Sequence, residues 1–214
     1  MTNHIRIEEN YYWMQRFYLF LQLIFFFCFV SGAAAQKDIL PSEKTTLRYL
    51  SENYAYLTNG DSVLIKETSD QQLIYALFRV EQDTIGLDPG LSTDGRWRAI
   101  KLMKLFREIP LALYSSTPFR RNILSLQPLL DDKKAKLVYY DLSDLKDLYV
   151  KIDQVYPKSV IMMVHHPSFE SIAEHLTETD LETSTKSEPS NILFILRRDK
   201  NKKGKIISFY YNNK

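Results

Sequence analysis

The chain's 214 residues allow one α/β domain and leave too little for two of ordinary size. A hydrophobic content of 45% and a charged content of 25% are those of a globular protein. The formal net charge of +2 gives no electrostatic reason to expect nucleic acid or a membrane surface as partner.

Phe17 to Val30 is apolar except for Gln22, with Arg16 just before it. Ser31-Gly32-Ala33-Ala34-Ala35 follows, and Ala33-x-Ala35 fits the small-residue pattern of a signal-peptidase site. Residues 1–35 therefore read as a signal peptide whose removal leaves Gln36 first, and Met14-Gln15-Arg16 offers a compact alternative start. The apolar run spans about fourteen residues, short of the roughly 20 of a spanning helix. Export, to the periplasm or the cell exterior if the host is bacterial, is expected, with no membrane anchor once the leader is gone. The single cysteine, Cys28, lies in the leader, so the processed chain has no disulfide, cysteine metal site or cysteine nucleophile.

Residues 36–70 read as a polar arm followed by a hairpin. Tyr54 to Leu57 and Val63 to Ile65 flank Thr58-Asn59-Gly60-Asp61, and Asn-Gly between apolar runs is a strong hairpin signal. Residues 71–214 read as the main domain. Leu73 to Phe78 is a continuous apolar run, as a strand buried on both faces requires. Ser92 caps a predicted helix with Trp97, Ile100, Leu102, Met103, Leu105 and Phe106 on its buried side, ended by Pro110. Leu111 to Tyr114 is a second strand, and Pro118 opens the next helix. Leu137 to Tyr140 and Val160 to Val164 are strands, separated by a helix over Ser143 to Val155. A short helix over Pro167 to Leu176, a polar loop over Thr177 to Ser190 and a hairpin of Asn191 to Arg197 with Ile206 to Tyr211 complete the chain.

The alternation predicts an α/β three-layer sandwich: a mostly parallel central sheet flanked by helices, with an N-terminal hairpin and a C-terminal antiparallel hairpin. Basic residues near the C-terminus, among them Lys200, Lys202 and Lys203, read as a solvated hairpin loop. The many tyrosines and phenylalanines read as core and sheet packing. There is no P-loop and no dinucleotide-binding glycine pattern, and His4 and His175 sit apart, so no cofactor and no metal are expected.

Four segments come in an informative order: Leu77-Phe78-Arg79-Val80-Glu81-Gln82, then Asp88-Pro89-Gly90-Leu91-Ser92-Thr93-Asp94-Gly95, then Tyr114-Ser115-Ser116-Thr117-Pro118-Phe119-Arg120, then Met163-Val164-His165-His166-Pro167-Ser168. Each falls at or just after the C-terminal end of a predicted strand or on the loop after it, where sites form in open α/β sheets. Together they resemble the motifs of the histidine phosphatase (phosphoglycerate mutase-like) superfamily, over about Leu73 to Tyr211. The resemblance implies a phosphate pocket made of Arg79, Arg120 and His166, with a histidine nucleophile directly after Arg79.

Val80 occupies that nucleophile position, and valine has no lone pair with which to accept a phosphoryl group. Glu81, next to it, is a candidate acid or a carboxylate that fills the pocket by pairing with Arg79 or Arg120. No catalytic residue can be assigned with His166 as the only remnant, and His165 is expected to point away from its neighbour's side. Three readings follow. One is a catalytically impaired pseudophosphatase that binds phosphate or a phosphate-bearing small molecule. The second is an active phosphomonoesterase with rearranged residues. The third is a structural or partner-binding protein whose pocket is occluded by Glu81.

Overall fold

A computed structural model describes residues 41, 45–84, 86–179 and 190–211. The signal peptide, Cys28, Met14, His4 and most of the arm lie outside the described residues, as do 180–189 of the polar loop. Contacts divide the chain into two units, Met1–Lys37 and Asp38–Lys214, and everything below concerns the second.

Two apolar runs joined through Asn59-Gly60 form the expected hairpin, β2 (Tyr54–Leu57) with β3 (Ser62–Leu64). Gly60 takes φ +93°, which a side chain would oppose, and the Asn59 amide bonds Asp61 to close the turn. A further strand, β1 (Leu47–Leu50), was not foreseen and pairs antiparallel with β2. Its entry is tied to the C-terminal hairpin, where Tyr210 N donates to Thr45 O at 3.1 Å. On this small sheet Tyr49 stacks against Tyr56 with ring centroids 4.2 Å apart, and Tyr49 is 47% exposed, so not every tyrosine serves a core.

The main sheet has the strand order β6-β5-β7-β4-β8-β9, formed by β4 (Gln72–Leu77), β5 (Leu111–Ser116), β6 (Val138–Tyr139), β7 (Ser159–Met163), β8 (Ile192–Arg198) and β9 (Gly204–Tyr210). β4 to β7 are mutually parallel, and β8 alone runs against both its neighbours. β4 and β7, in the middle, are buried along their whole length, which explains the apolar runs that follow Gln72 and Ser159 at their starts.

Alternation along β4 sends Leu73, Tyr75 and Leu77 to one face and Ile74, Ala76 and Phe78 to the other. The first face packs against α1 (Thr93–Phe106), α2 (Arg120–Lys133) and the small sheet; the second packs against α3 (Leu145–Gln154) and α4 (His166–Thr177). The layers are those expected. Two expected core residues are not in it: Ile100 is half-buried at the edge of a surface groove, and Trp97 is 63% exposed. The buried stripe of α1 is Gly95, Ala99, Leu102, Leu105 and Phe106. Two residues beyond Gly95 is about 200° around a helix, which puts Trp97 on the outside.

Candidate functional site

The C-terminal ends of β4, β5 and β7 lie side by side, and the segments leaving them carry the motif residues. On leaving β4 the chain divides its side chains between two environments. Phe78 packs edge-on against Phe169 and Phe194. Val80 is 1% exposed and sits in a small apolar cluster with Leu91, Ala99 and Leu124, while its N–H donates to Ser125 Oγ at 3.2 Å.

Glu81 fastens this segment to α1. Its carbonyl accepts from Ser92 N at 3.1 Å and Ser92 Oγ at 3.3 Å, and Ser92 Oγ in turn caps α1 by accepting from Gly95 N. The approach is so close that a Cβ on Gly95 would lie 2.0 Å from the Glu81 carbonyl oxygen, which accounts for glycine at the end of the Asp-Pro-Gly-Leu-Ser-x-x-Gly segment. The Glu81 carboxylate is gripped by Arg98, whose Nε donates to Oε2 at 2.8 Å and to Oε1 at 2.9 Å, and whose Nη2 also bonds Oε1. Arg98 Nη1 donates to the Tyr211 carbonyl. Burial pushes the Glu81 carboxyl up, but hydrogen bonds from Arg98, from its own backbone and from Ser190, with the charge of Arg98, bring it below the ordinary carboxylate range.

This corrects the expectation that Glu81 would pair with Arg79 or Arg120. The side-chain partner the structure gives it is Arg98 on α1.

The polar side of the same strand ends gathers Arg79, Thr117, Arg121, Asn122 and His165. His165 is the N-cap residue of α4. Its Nε2 lies 3.3 Å from Thr117 Oγ1 and 3.2 Å from Asn122 Nδ2, and Asn122 Nδ2 donates to Thr117 Oγ1 at 2.7 Å. The Phe119 ring packs edge-on against His165 with centroids 5.2 Å apart, and the Arg121 guanidinium lies 5.2 Å from the same ring's centre. Burial lowers the His165 pKa, and the charges of Arg121 and Arg79 lower it further. The imidazole is thus neutral at neutral pH, between two cations. Arg79 itself is lowered, by burial first and Arg121 second, yet a guanidinium stays charged at any physiological pH. Arg79 Nε also donates to Gln82 Oε1 at 3.2 Å.

Two of the residues expected for the phosphate pocket, Arg120 and His166, lie outside this cluster, and their chain neighbours Arg121 and His165 lie in it. Arg120, the first residue of α2, is exposed; its N–H donates to Asp88 Oδ2 at 3.1 Å, and it borders a groove of 710 Å³ between α1 and α2 floored by Leu91, Ala99 and Leu124. Arg121, about 100° further round the helix, turns towards His165 and Arg79 instead. His166 is the first residue of α4 and its ring lies 5.9 Å from that of Phe78, whereas His165 faces Thr117 and Asn122. The signals were present. Pro118 lies ahead of the Phe119 N-cap, so α2 starts two residues later than that proline suggests, and Pro167 at the start of α4 makes His165 its cap.

Two buried atoms here have no hydrogen-bond partner among the described residues, Arg121 Nε, a donor, and Asn122 Oδ1, an acceptor. Among the described residues no group of three or more His, Cys, Asp or Glu side chains could hold a metal ion.

No sequence-family model matches the chain, and no curated protein sequence does. Solved structures do. The native mycobacterial glucosyl-3-phosphoglycerate phosphatase is similar with a TM-score of 0.52, at 10% identity, over 66% of this chain and 100% of that one. The complex of that enzyme with inorganic phosphate gives 0.50, at 10% identity, over 67% and 97%. This chain has the histidine phosphatase fold. A phosphoglycerate mutase from Bacillus anthracis is similar at 11% identity over 68% of this chain and 94% of that one, with a TM-score of 0.45. At identities this low the likeness to the two mycobacterial structures shows the fold alone and leaves the chemistry to this chain's own residues.

Proposed function

We propose that this chain is a non-catalytic histidine phosphatase-fold protein that binds phosphate, or a small molecule bearing a phosphate or similar anion, through Arg79, Arg121 and His165. The observation that carries the reading is the pairing at the β4 exit: two guanidinium groups and a neutral imidazole converge beside a nucleophile position filled by a buried valine. Guanidinium groups suit phosphate oxygens in number and direction. A hydrogen phosphate both accepts and donates, so it suits an unpartnered Arg121 Nε and an unpartnered Asn122 Oδ1. Inorganic phosphate in the related mycobacterial structure supports the ligand class. Export with a cleaved leader belongs to the same proposal; a mature N-terminus at Gln36, read after expression of the full chain in a bacterium, supports it, and an intact Met1 or Met14 start counts against it.

The test is thermal denaturation of the full chain in phosphate. At ten times the dissociation constant, binding adds about 1.4 kcal/mol, which shifts the midpoint by about 3–6 °C for a chain of this size. Arg121→Ala abolishes the shift. An unchanged midpoint in wild type at millimolar phosphate removes the anion site.

One observation favours a second reading. His165 is neutral and flanked by Arg79 and Arg121, which is the electrostatic setting of a nucleophile. Against it, Nε2 already lies within hydrogen-bond distance of Asn122 Nδ2 and Thr117 Oγ1. Turnover of a chromogenic phosphomonoester that disappears in His165→Ala establishes this alternative; a wild type that binds phosphate and turns over no phosphomonoester supports the first reading.

A further inference from the structure

Next to the anion cluster lies a second cleft, of 520 Å³, bounded by Thr117, Phe119, Tyr139, Leu142, Asp141 and Asp147 among others. Two of these residues belong to both places. Thr117 presents Oγ1 to His165, and the Phe119 ring stands between the cleft, the His165 imidazole and the Arg121 guanidinium. A ligand anchored by its anion on Arg121 therefore directs the rest of its structure past Phe119 into this cleft.

The chemistry of the lining is the opposite of the anion cluster. Its charged side chains are both carboxylates, and its aromatic lining includes Phe119 and Tyr139, the latter 50% exposed. Asp147 is shared with Lys151, whose Nζ lies 2.5 Å from Oδ2. Asp141 is held by Ser143 instead, accepting from its N–H and its hydroxyl, each at 2.8 Å. These bonds keep the Asp141 carboxyl below its ordinary range and so charged at neutral pH. Aromatic faces beside a fixed carboxylate recognise a cation, and most favourably an alkylated ammonium, which is weakly hydrated and polarises against a ring.

Building on the anion reading above, we propose that the ligand is a phosphate monoester whose organic part carries an ammonium group, with the phosphate on Arg79, Arg121 and His165 and the cation in the cleft between Phe119, Tyr139 and Asp141. The dipolar site disfavours doubly anionic sugars and diphosphates, because their second charge meets Asp141.

The experiment compares three probes by calorimetric titration of the full chain: inorganic phosphate, phosphocholine, and 3,3-dimethylbutyl phosphate, which has the same shape with a neutral carbon in place of nitrogen. Phosphocholine is expected to bind about fivefold more tightly than its neutral isostere, the equivalent of one exposed cation–aromatic contact. Tyr139→Ala and Asp141→Asn should each reduce that preference towards one while leaving the affinity for inorganic phosphate unchanged; both residues are exposed, so neither variant threatens the fold. Equal binding of the two esters with phosphate binding intact overturns the cation cleft and leaves the anion site standing. Absence of binding by all three probes overturns both.

Discussion

Arg79 and Val80 are adjacent in the chain and stand in opposite surroundings. Val80 points into an apolar cluster beneath α1, and the residue after it is locked to Arg98. Arg79 belongs to the polar side, where Arg79, Arg121 and His165 are close enough for the two charges to act on the imidazole and on each other. One side of the β4 exit is therefore built for packing and the other for charge. The difference teaches that the residue at the nucleophile position contributes here to stability, while any ligand chemistry must come from the groups on the other side. Substitutions on the two sides should then separate: those on the packing side change stability and spare anion binding, and those on the polar side do the reverse.

The largest expected effect is at Gly95. Alanine there places a methyl group 2.0 Å from the Glu81 carbonyl oxygen, a backbone atom that cannot swing aside. The N-terminus of α1 must move away from the β4 exit, and overpacking of this kind costs about 3 kcal/mol. The midpoint of thermal unfolding should fall by about 6–12 °C. A fall of only a degree or two means that α1 does not approach Glu81 as described.

Val80→Ala comes next. Removing two methyl groups from a fully buried cluster should cost about 1–3 kcal/mol, part transfer and part cavity. The stabilisation by phosphate should be the same as in wild type. A variant that keeps its stability but loses the phosphate response would place Val80 on the ligand side and dissolve the comparison.

Arg98→Ala strands the Glu81 carboxylate. A buried pair broken in this way costs about 3–5 kcal/mol, but the Glu81 side chain is 31% exposed, so about 1–2 kcal/mol is expected. The folded carboxyl titrates below its unfolded value of about 4.3, so its contribution is fully present above that pH and is lost as the pH falls through the lower, folded value. Acid titrations of stability should show this loss in wild type and not in Arg98→Ala. Parallel acid curves for the two proteins would count against the ion pair.

How much of this was legible in the sequence depended on the kind of signal. Elements announced by turn chemistry or by long apolar runs were readable: Asn59-Gly60 between two strands, Ser92 at the head of α1, and the unbroken apolar runs of β4 and β7. β1 was not readable, because Leu47-Arg48-Tyr49-Leu50 is short and is joined to β2 by Ser51-Glu52-Asn53, which carries no strong hairpin signature. The side chains that gather at the strand ends were legible to within one residue and no better. Motif order located the strand ends, but which of Arg120 and Arg121, or of His165 and His166, faces the cluster depends on the residue at which the following helix begins. A helix turns about 100° per residue, so a shift of one in its start exchanges the groove-facing arginine for the cluster-facing one. The Glu81–Arg98 pair joins residues far apart in sequence, on a loop and a helix, and no local pattern encodes it.

The smallest effect is the most direct check on the polar side. In wild type the His165 pKa is depressed, by burial and then by Arg121 and Arg79. Arg121→Gln removes one of the two charges and keeps most of the bulk, so the imidazole, followed by NMR, should titrate at a higher pH than in wild type. The unfolded chain binds a proton at this residue near pH 6.5, above the folded value. Stability is therefore at its full level above that pH and declines as the pH falls from there towards the folded pKa, because the unfolded state takes up the proton first. The variant should show a narrower window of decline. Added phosphate, by neutralising the same two cations, should raise the His165 pKa in wild type more than in the variant. Superimposable titrations of the two proteins, with and without phosphate, would mean that Arg121 and His165 do not share a site.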